Sequence, residues 1–229
     1  MEKKNINRIS KSKLISFLIV AAGFISILAM ADKLNEPVSS NSVSNDQLAA
    51  AEVDNVNDTI EMTAAEKQRE QESKDAFIEA YRVFMSPRCM NCHPSVDIPL
   101  QGDDSHLHSQ GVKRGPDGKG LYAMKCKNCH QDNNTSGDHM PPGHASWHLP
   151  PANLKMVFQG KSPHELALHF KDNKFTGFKN FAKDLLHHVE VEPLVLHSWT
   201  YGTPPPLSHK EFVAKIKEWI EKGAAIPGK

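Results

Sequence analysis

The four cysteines of this chain fall in two short runs, Cys89-Met90-Asn91-Cys92-His93 and Cys126-Lys127-Asn128-Cys129-His130, and none is left over. Each run is C-x-x-C-H, the pattern that attaches a c-type haem. Two residues between the thiols let both reach the vinyl-derived carbons on one edge of the ring. The residue that follows, His93 or His130, then offers its imidazole to the iron as proximal ligand. Other chemistries also use paired cysteines. A four-thiolate zinc site needs no histidine after each pair, nor do two disulfides or a redox-active dithiol. The duplicated histidine therefore favours two covalently attached haem c groups.

A second axial ligand closes each iron, and methionine in that place raises the potential relative to histidine. The chain has 13 histidines and 8 methionines, so the distal assignment stays open. His148, in Trp147-His148-Leu149-Pro150-Pro151, and His188, in Leu185-Leu186-His187-His188-Val189, stand beside apolar residues able to cover a ring face. His108, in the stretch between the motifs, comes next. Met140 before Pro141 and Met156 beside Val157 and Phe158 are the methionine candidates. Each of these also reads as ordinary surface or packing, the methionines as filler of an irregular core. Trp147, Trp199 and Trp219 read as buried apolar surface. Lys113-Arg114 and the lysines from Lys171 to Lys183 could meet propionates or a partner, although a solvated face is the ordinary role of such charges.

These residues need elements to hold them. Thr63 with Glu66 is a capping-box start, and Ala76, Phe77, Ala80, Tyr81 and Phe84 put an apolar stripe on one helix face, ending at Ser86 before Pro87. From Pro94 to Lys125 the chain is rich in Gly, Asp, Ser and His, with a turn at Gly115-Pro116-Asp117-Gly118. It reads as loop wrapped on something other than its own side chains. Ser162 to Lys171, with Leu166, Leu168 and Phe170, and Phe181 to Val189 read as short helices. Ser208 with Glu211 opens a terminal helix whose stripe is Phe212, Val213, Ile216, Trp219 and Ile220, closed by Gly223. Strands are hardly signalled. The expectation is a mainly α, cytochrome c-like fold of helices and long irregular loops around two haems.

The chain ends of this unit are set by composition. Lys3, Lys4, Arg8, Lys11 and Lys13 precede an uncharged run from Leu14 to Ala31 that closes Ala29-Met30-Ala31. This is the order of a secretory signal peptide, and the run is also long enough to be a retained membrane anchor. Both readings of residues 1–31 place the protein in the periplasm or outside the cell, with the membrane reached only through that segment. Residues 32–62 read as a flexible linker, and 63–229 as the dihaem domain. Lys plus Arg and Asp plus Glu are both 27, so no broad field recruits nucleic acid. Aromatic residues make up only 7%, lean for so long a domain and consistent with bound cofactors filling the core.

From Arg88 to the C-terminus the chain resembles a group of bacterial dihaem cytochrome c proteins often labelled isoquinoline 1-oxidoreductase subunits. The resemblance is carried by Arg88-Cys89-Met90-Asn91-Cys92-His93-Pro94, Pro99-Leu100-Gln101-Gly102-Asp103, Arg114-Gly115-Pro116-Asp117-Gly118, Cys126 to Gln131, Trp147-His148-Leu149, Gly160-Lys161-Ser162, and Trp219 with Gly223-Ala224. It implies a periplasmic electron donor or acceptor serving a molybdenum-containing hydroxylase; the residues by themselves are read as an electron carrier between a periplasmic dehydrogenase or hydroxylase and a downstream acceptor. Such a protein is an electron-transfer subunit rather than a stand-alone enzyme. The alternative is a dihaem peroxidase-like enzyme with one iron left open, and a haem-based ligand sensor is a third reading.

Overall fold

Thr63 and Glu66 form the reciprocal cap expected of them. The Thr63 hydroxyl accepts from the Glu66 amide at 3.2 Å, and the Glu66 carboxylate accepts from the Thr63 amide at 2.8 Å. They open α1 (Ala64–Phe84) of the computed structural model, which describes residues 62–229. The signal or anchor segment 1–31 and the linker, except for its last residue, lie outside the described residues.

Ala76, Phe77, Ala80, Val83 and Phe84 recur every three or four residues along α1 and are its buried face. The terminal helix α7 (His209–Glu221) starts with the cap read at Ser208 and Glu211 and packs Phe212, Ile216 and Trp219 against that face. The Phe77 and Trp219 rings lie 4.6 Å apart. Ser73, fully buried, locks the pair: its hydroxyl donates to the Trp219 carbonyl at 2.9 Å and accepts from the Ala225 amide at 3.0 Å.

The helix α3 (Pro163–Lys171) carries a third reciprocal cap, Ser162 with Glu165, and buries Leu166, Ala167 and Phe170. Leu168, expected on the apolar stripe, is 46% exposed. At about 100° per residue it falls on the opposite face from Leu166, and Ala167 fills the core beside it. The helix α5 (Phe181–Val191) buries Leu185 and Val189. Three one-turn helices, α2 (Pro87–Met90), α4 (Asn173–Thr176) and α6 (Pro193–His197), were not foreseen. Pro87 and Pro193 stand at the first helical position, where the missing N–H costs nothing, so each proline starts a helix as well as ending what precedes it.

Helix takes 42% of the described residues and strand 5%, so the fold is mainly α. The stretch after the first motif holds two antiparallel hairpins, β1 (Leu100–Gln101) with β2 (His106–Leu107) and β3 (Gly120–Leu121) with β4 (Met124–Lys125). Among the described residues no helix is long and apolar enough to cross a membrane.

Phe158 joins this core to the rest of the molecule. It packs on Phe84 at 5.4 Å and Phe170 at 5.7 Å, and its amide donates to the carbonyl of His93 at 2.9 Å.

Candidate functional site

The first cysteine motif rides on α2 and the turn after it. The Cys92 amide donates to the Cys89 carbonyl and the His93 amide to the Met90 carbonyl, a helical winding that puts residues three apart on one face. The His93 imidazole is held twice. Its Nδ1 lies 2.7 Å from the Met156 carbonyl, and its ring stacks on Phe158 with centres 3.9 Å apart and planes 10° apart. A carbonyl only accepts, so Nδ1 carries the proton and Nε2 keeps the lone pair that a metal would take. Burial drives the His93 pKa down to about 3, which keeps the ring neutral. Burial also pushes the Cys89 thiol up to about 12 and the Cys92 thiol up to about 11.

Met156 has a left-handed backbone, φ 48°, which costs about 1–2 kcal/mol outside glycine. This candidate methionine engages His93 through its carbonyl, on the Nδ1 side of the ring. Strain of this kind collects where a functional group must be held in place.

Cys89, Cys92 and His93 line a cavity with an empty volume of about 1170 Å³, solvent at its mouth included. Phe84, Phe158, Leu185, Val189 and Phe212 make its walls apolar, which suits the face of a flat apolar group. Two buried cations stand at or near the first motif, one of them in the cavity wall. Arg88 lines the cavity, pairs with Asp103 and lies over the Tyr201 ring at 4.9 Å. Arg114, 1% exposed, donates to the Pro150 carbonyl at 2.7 Å and has its Nε 3.8 Å from Asp97. Both bear on Cys92, whose thiolate they favour against the larger effect of burial. In each, the buried Nε makes no hydrogen bond among the described residues. A buried cation with a free donor calls for an acidic acceptor, such as the carboxylate of a bound group. Sequence reasoning singled out Arg114 but missed Arg88, whose only signal was its place directly before Cys89.

The second motif repeats the arrangement. Cys126–Asn128 form one turn of 3₁₀ helix, and the His130 amide donates to the Cys126 carbonyl at 2.9 Å. The His130 Nδ1 lies 2.7 Å from the Pro142 carbonyl, and its ring stacks on Trp147 with centres 4.3 Å apart and planes 7° apart. Its Nε2 is therefore the free nitrogen here too. Burial lowers the pKa of His130 and raises that of the Cys126 thiol, while Cys129 is exposed.

His108 faces this histidine, the two ring centres 6.3 Å apart and the planes at 61°. The His108 Nδ1 is buried without a partner among the described residues, and burial lowers the His108 pKa. His188 on α5 lines the first cavity with His93, and burial lowers its pKa as well. His148 lines that cavity too, with its Nδ1 on the Ser146 carbonyl. Met140 is 47% exposed and sits two residues before the carbonyl that holds His130.

The fold thus brings His188, His148 and Met156 to the first motif and His108 to the second. The four thiols are unpaired. Among the described residues no three or more His, Cys, Asp or Glu converge as a metal cage would require, so the thiols do not form one tetrahedral site. Trp147, read from the sequence as packing, both stacks on His130 and lines the cavity of the first motif.

The chain was compared with family models, with curated proteins and with solved structures, and none of the three comparisons returned a match.

Proposed function

We propose that the protein is a dihaem c-type cytochrome that passes single electrons between a dehydrogenase or hydroxylase and a downstream acceptor. The observation that carries this reading is the duplicated site: two C-x-x-C-H turns, each with its histidine fixed through Nδ1 to a carbonyl and by a stacked aromatic ring. Such outer contacts set the tautomer and the ring plane of a metal-bound histidine. Cys89, Cys92 and His93 would hold one haem, and Cys126, Cys129 and His130 the other. Bound there, each haem supplies a reversible one-electron couple.

The residues of the chain orient and tune these groups. His188, in the cavity of His93, would serve as distal ligand at the first site, and His108, beside His130, at the second. Arg88, which lines the cavity, would offer its free donor to the acidic edge of the first group, Arg114 adds positive charge nearby, and the apolar cavity walls exclude water, which strengthens every charge interaction inside. His188 in the cavity of His93 and His108 beside His130 support electron transfer over the peroxidase-like alternative, which calls for an open iron. The basic, apolar, Ala-Met-Ala order of residues 1–31 supports work in the periplasm. The partner is a redox protein, and the resemblance points to a molybdenum hydroxylase.

Mass spectrometry of the full chain from a host that matures c-type cytochromes tests the assignment. Two added haems are expected, one of them lost in a Cys126→Ala, Cys129→Ala double variant. A mature chain carrying no added macrocycle would overturn it.

A further inference from the structure

We infer that Trp147 is the coupling element between the two sites, the side chain through which an electron passes from one to the other; this rests on the dihaem reading above. Among the described residues, Trp147 is the one aromatic residue that stacks on the histidine of one motif and lines the cavity of the other. Its indole lies face to face with His130 at 4.3 Å, and the same side chain is part of the wall around Cys89, Cys92 and His93.

The corresponding ring on His93 is placed differently. Phe158 also stacks on its histidine, but its further neighbours are Phe84 and Phe170 of the core. It leads away from the second motif, whereas Trp147 leads from the second motif to the first.

The placement of Trp147 is rigid. Its backbone belongs to the segment 147–151, which is tied down at Leu149 and Pro150. The Leu149 amide donates to the Gly118 carbonyl at 2.9 Å, and the Pro150 carbonyl accepts from Arg114 at 2.7 Å. Gly118 fits only as glycine, because a Cβ there would stand 1.9 Å from the Leu149 oxygen. The ring therefore has little freedom to leave His130, and a π system held in van der Waals contact bridges a gap that would otherwise be crossed through space. Trp147 is neither oxidised nor reduced in the exchange. One electron leaves the reduced centre and arrives at the oxidised centre, and no proton or leaving group is involved.

A competing path exists. Cys126 lies near enough to Cys92 for its charge to be felt there, so the two attachment edges could exchange electrons directly. Replacing Trp147 separates the two paths.

The test uses the full mature chain and its Trp147→Leu, Trp147→Met and Trp147→Phe variants. Haem content by mass spectrometry comes first: an unaltered chain without two haems sinks the dihaem reading itself and is thereby distinguished from failure of the Trp147 assignment. Exchange between the centres is then followed optically after pulse-radiolytic reduction, with both midpoint potentials measured by redox titration. The Leu and Met variants are expected to exchange roughly tenfold more slowly or worse, and Phe to lose less, because coupling depends on close, oriented contact. The first midpoint potential is expected to stay unchanged while the second moves with the loss of the stack on His130, and the exchange rates are compared after allowing for that difference. Exchange in Leu and Met within about twofold of the unaltered chain would overturn the assignment in favour of the direct edge path. If Trp147→Leu fails to mature, Trp147→Met and Trp147→Phe carry the same comparison.

Discussion

His108 lies within the irregular stretch between the motifs and His130 closes the second motif, yet their rings meet edge-on with centres 6.3 Å apart, close enough for both to bear on one group bound there. His188 and His93 share the other cavity. Removing a distal imidazole should open an iron to carbon monoxide. The reduced unaltered protein is expected to show no spectral change with the gas, His108→Ala to bind it at one haem, His188→Ala at the other, and the double variant at both. His148→Ala is expected to bind none. A response from His148→Ala together with none from His188→Ala would reverse the assignment at the first site.

Arg114→Met tests the buried cation. The side chain is 1% exposed and holds the Pro150 carbonyl, and a buried hydrogen bond to a charged group contributes about 1.5–3 kcal/mol. Denaturant titration should show a loss of that size. A cation beside the first site also favours its electron-rich state, so the lower of the two effects to look for by redox titration is a fall in the first midpoint potential with the second unmoved. An unchanged first potential would leave Arg114 with a structural role alone.

Asp103 ties a loop of the first motif to Thr203 and Arg88. The Thr203 hydroxyl donates to its carboxylate at 2.6 Å, and that bond, followed by the Arg88 charge, holds its pKa below the ordinary 3.8. A carboxylate with a depressed folded pKa contributes stability that is whole above the unfolded value and is lost as pH falls through the folded one. Asp103→Asn is expected to cost about 1 kcal/mol at neutral pH, a figure discounted because the side chain is half exposed. The difference from the unaltered chain should shrink as pH falls below 3.8. A difference that persists undiminished in acid would locate the effect elsewhere.

The regular elements were legible in the sequence because their signals are local. Thr63 with Glu66 and Ser208 with Glu211 marked two helix starts, and the three- and four-residue spacing marked the faces that pack together. Leu168 shows the limit of that reading, since in a nine-residue helix one apolar residue can fall on either side. The two C-x-x-C-H turns were visible for the same local reason. What was not visible is everything carried by long-range backbone contacts: the Met156 and Pro142 carbonyls that hold His93 and His130 lie 63 and 12 residues away from them. Nothing in the composition of the Gly- and Asp-rich stretch ranked His108 beside His130, and Trp147 looked like any other large apolar residue until its two neighbours were known. Arg88 was read only as part of a motif, because burial of a cation is a tertiary property.

Gly118 offers a separate test of how the second site is built. Its φ is 75°, its carbonyl accepts from the Leu149 amide at 2.9 Å, and a Cβ would collide with the Leu149 oxygen at 1.9 Å. Gly118→Ala must therefore push the segment 147–151 away from the second motif and with it the Trp147 ring that fixes His130. Gly111 is the control: its φ is 63° and a Cβ there meets nothing within 4 Å, so Gly111→Ala incurs only the left-handed backbone penalty of about 1–2 kcal/mol. Mass spectrometry of the mature products should find two haems in Gly111→Ala and a shift toward one in Gly118→Ala, the loss falling on Cys126 and Cys129. Equal haem content in the two variants would mean that the segment is not what shapes the second site.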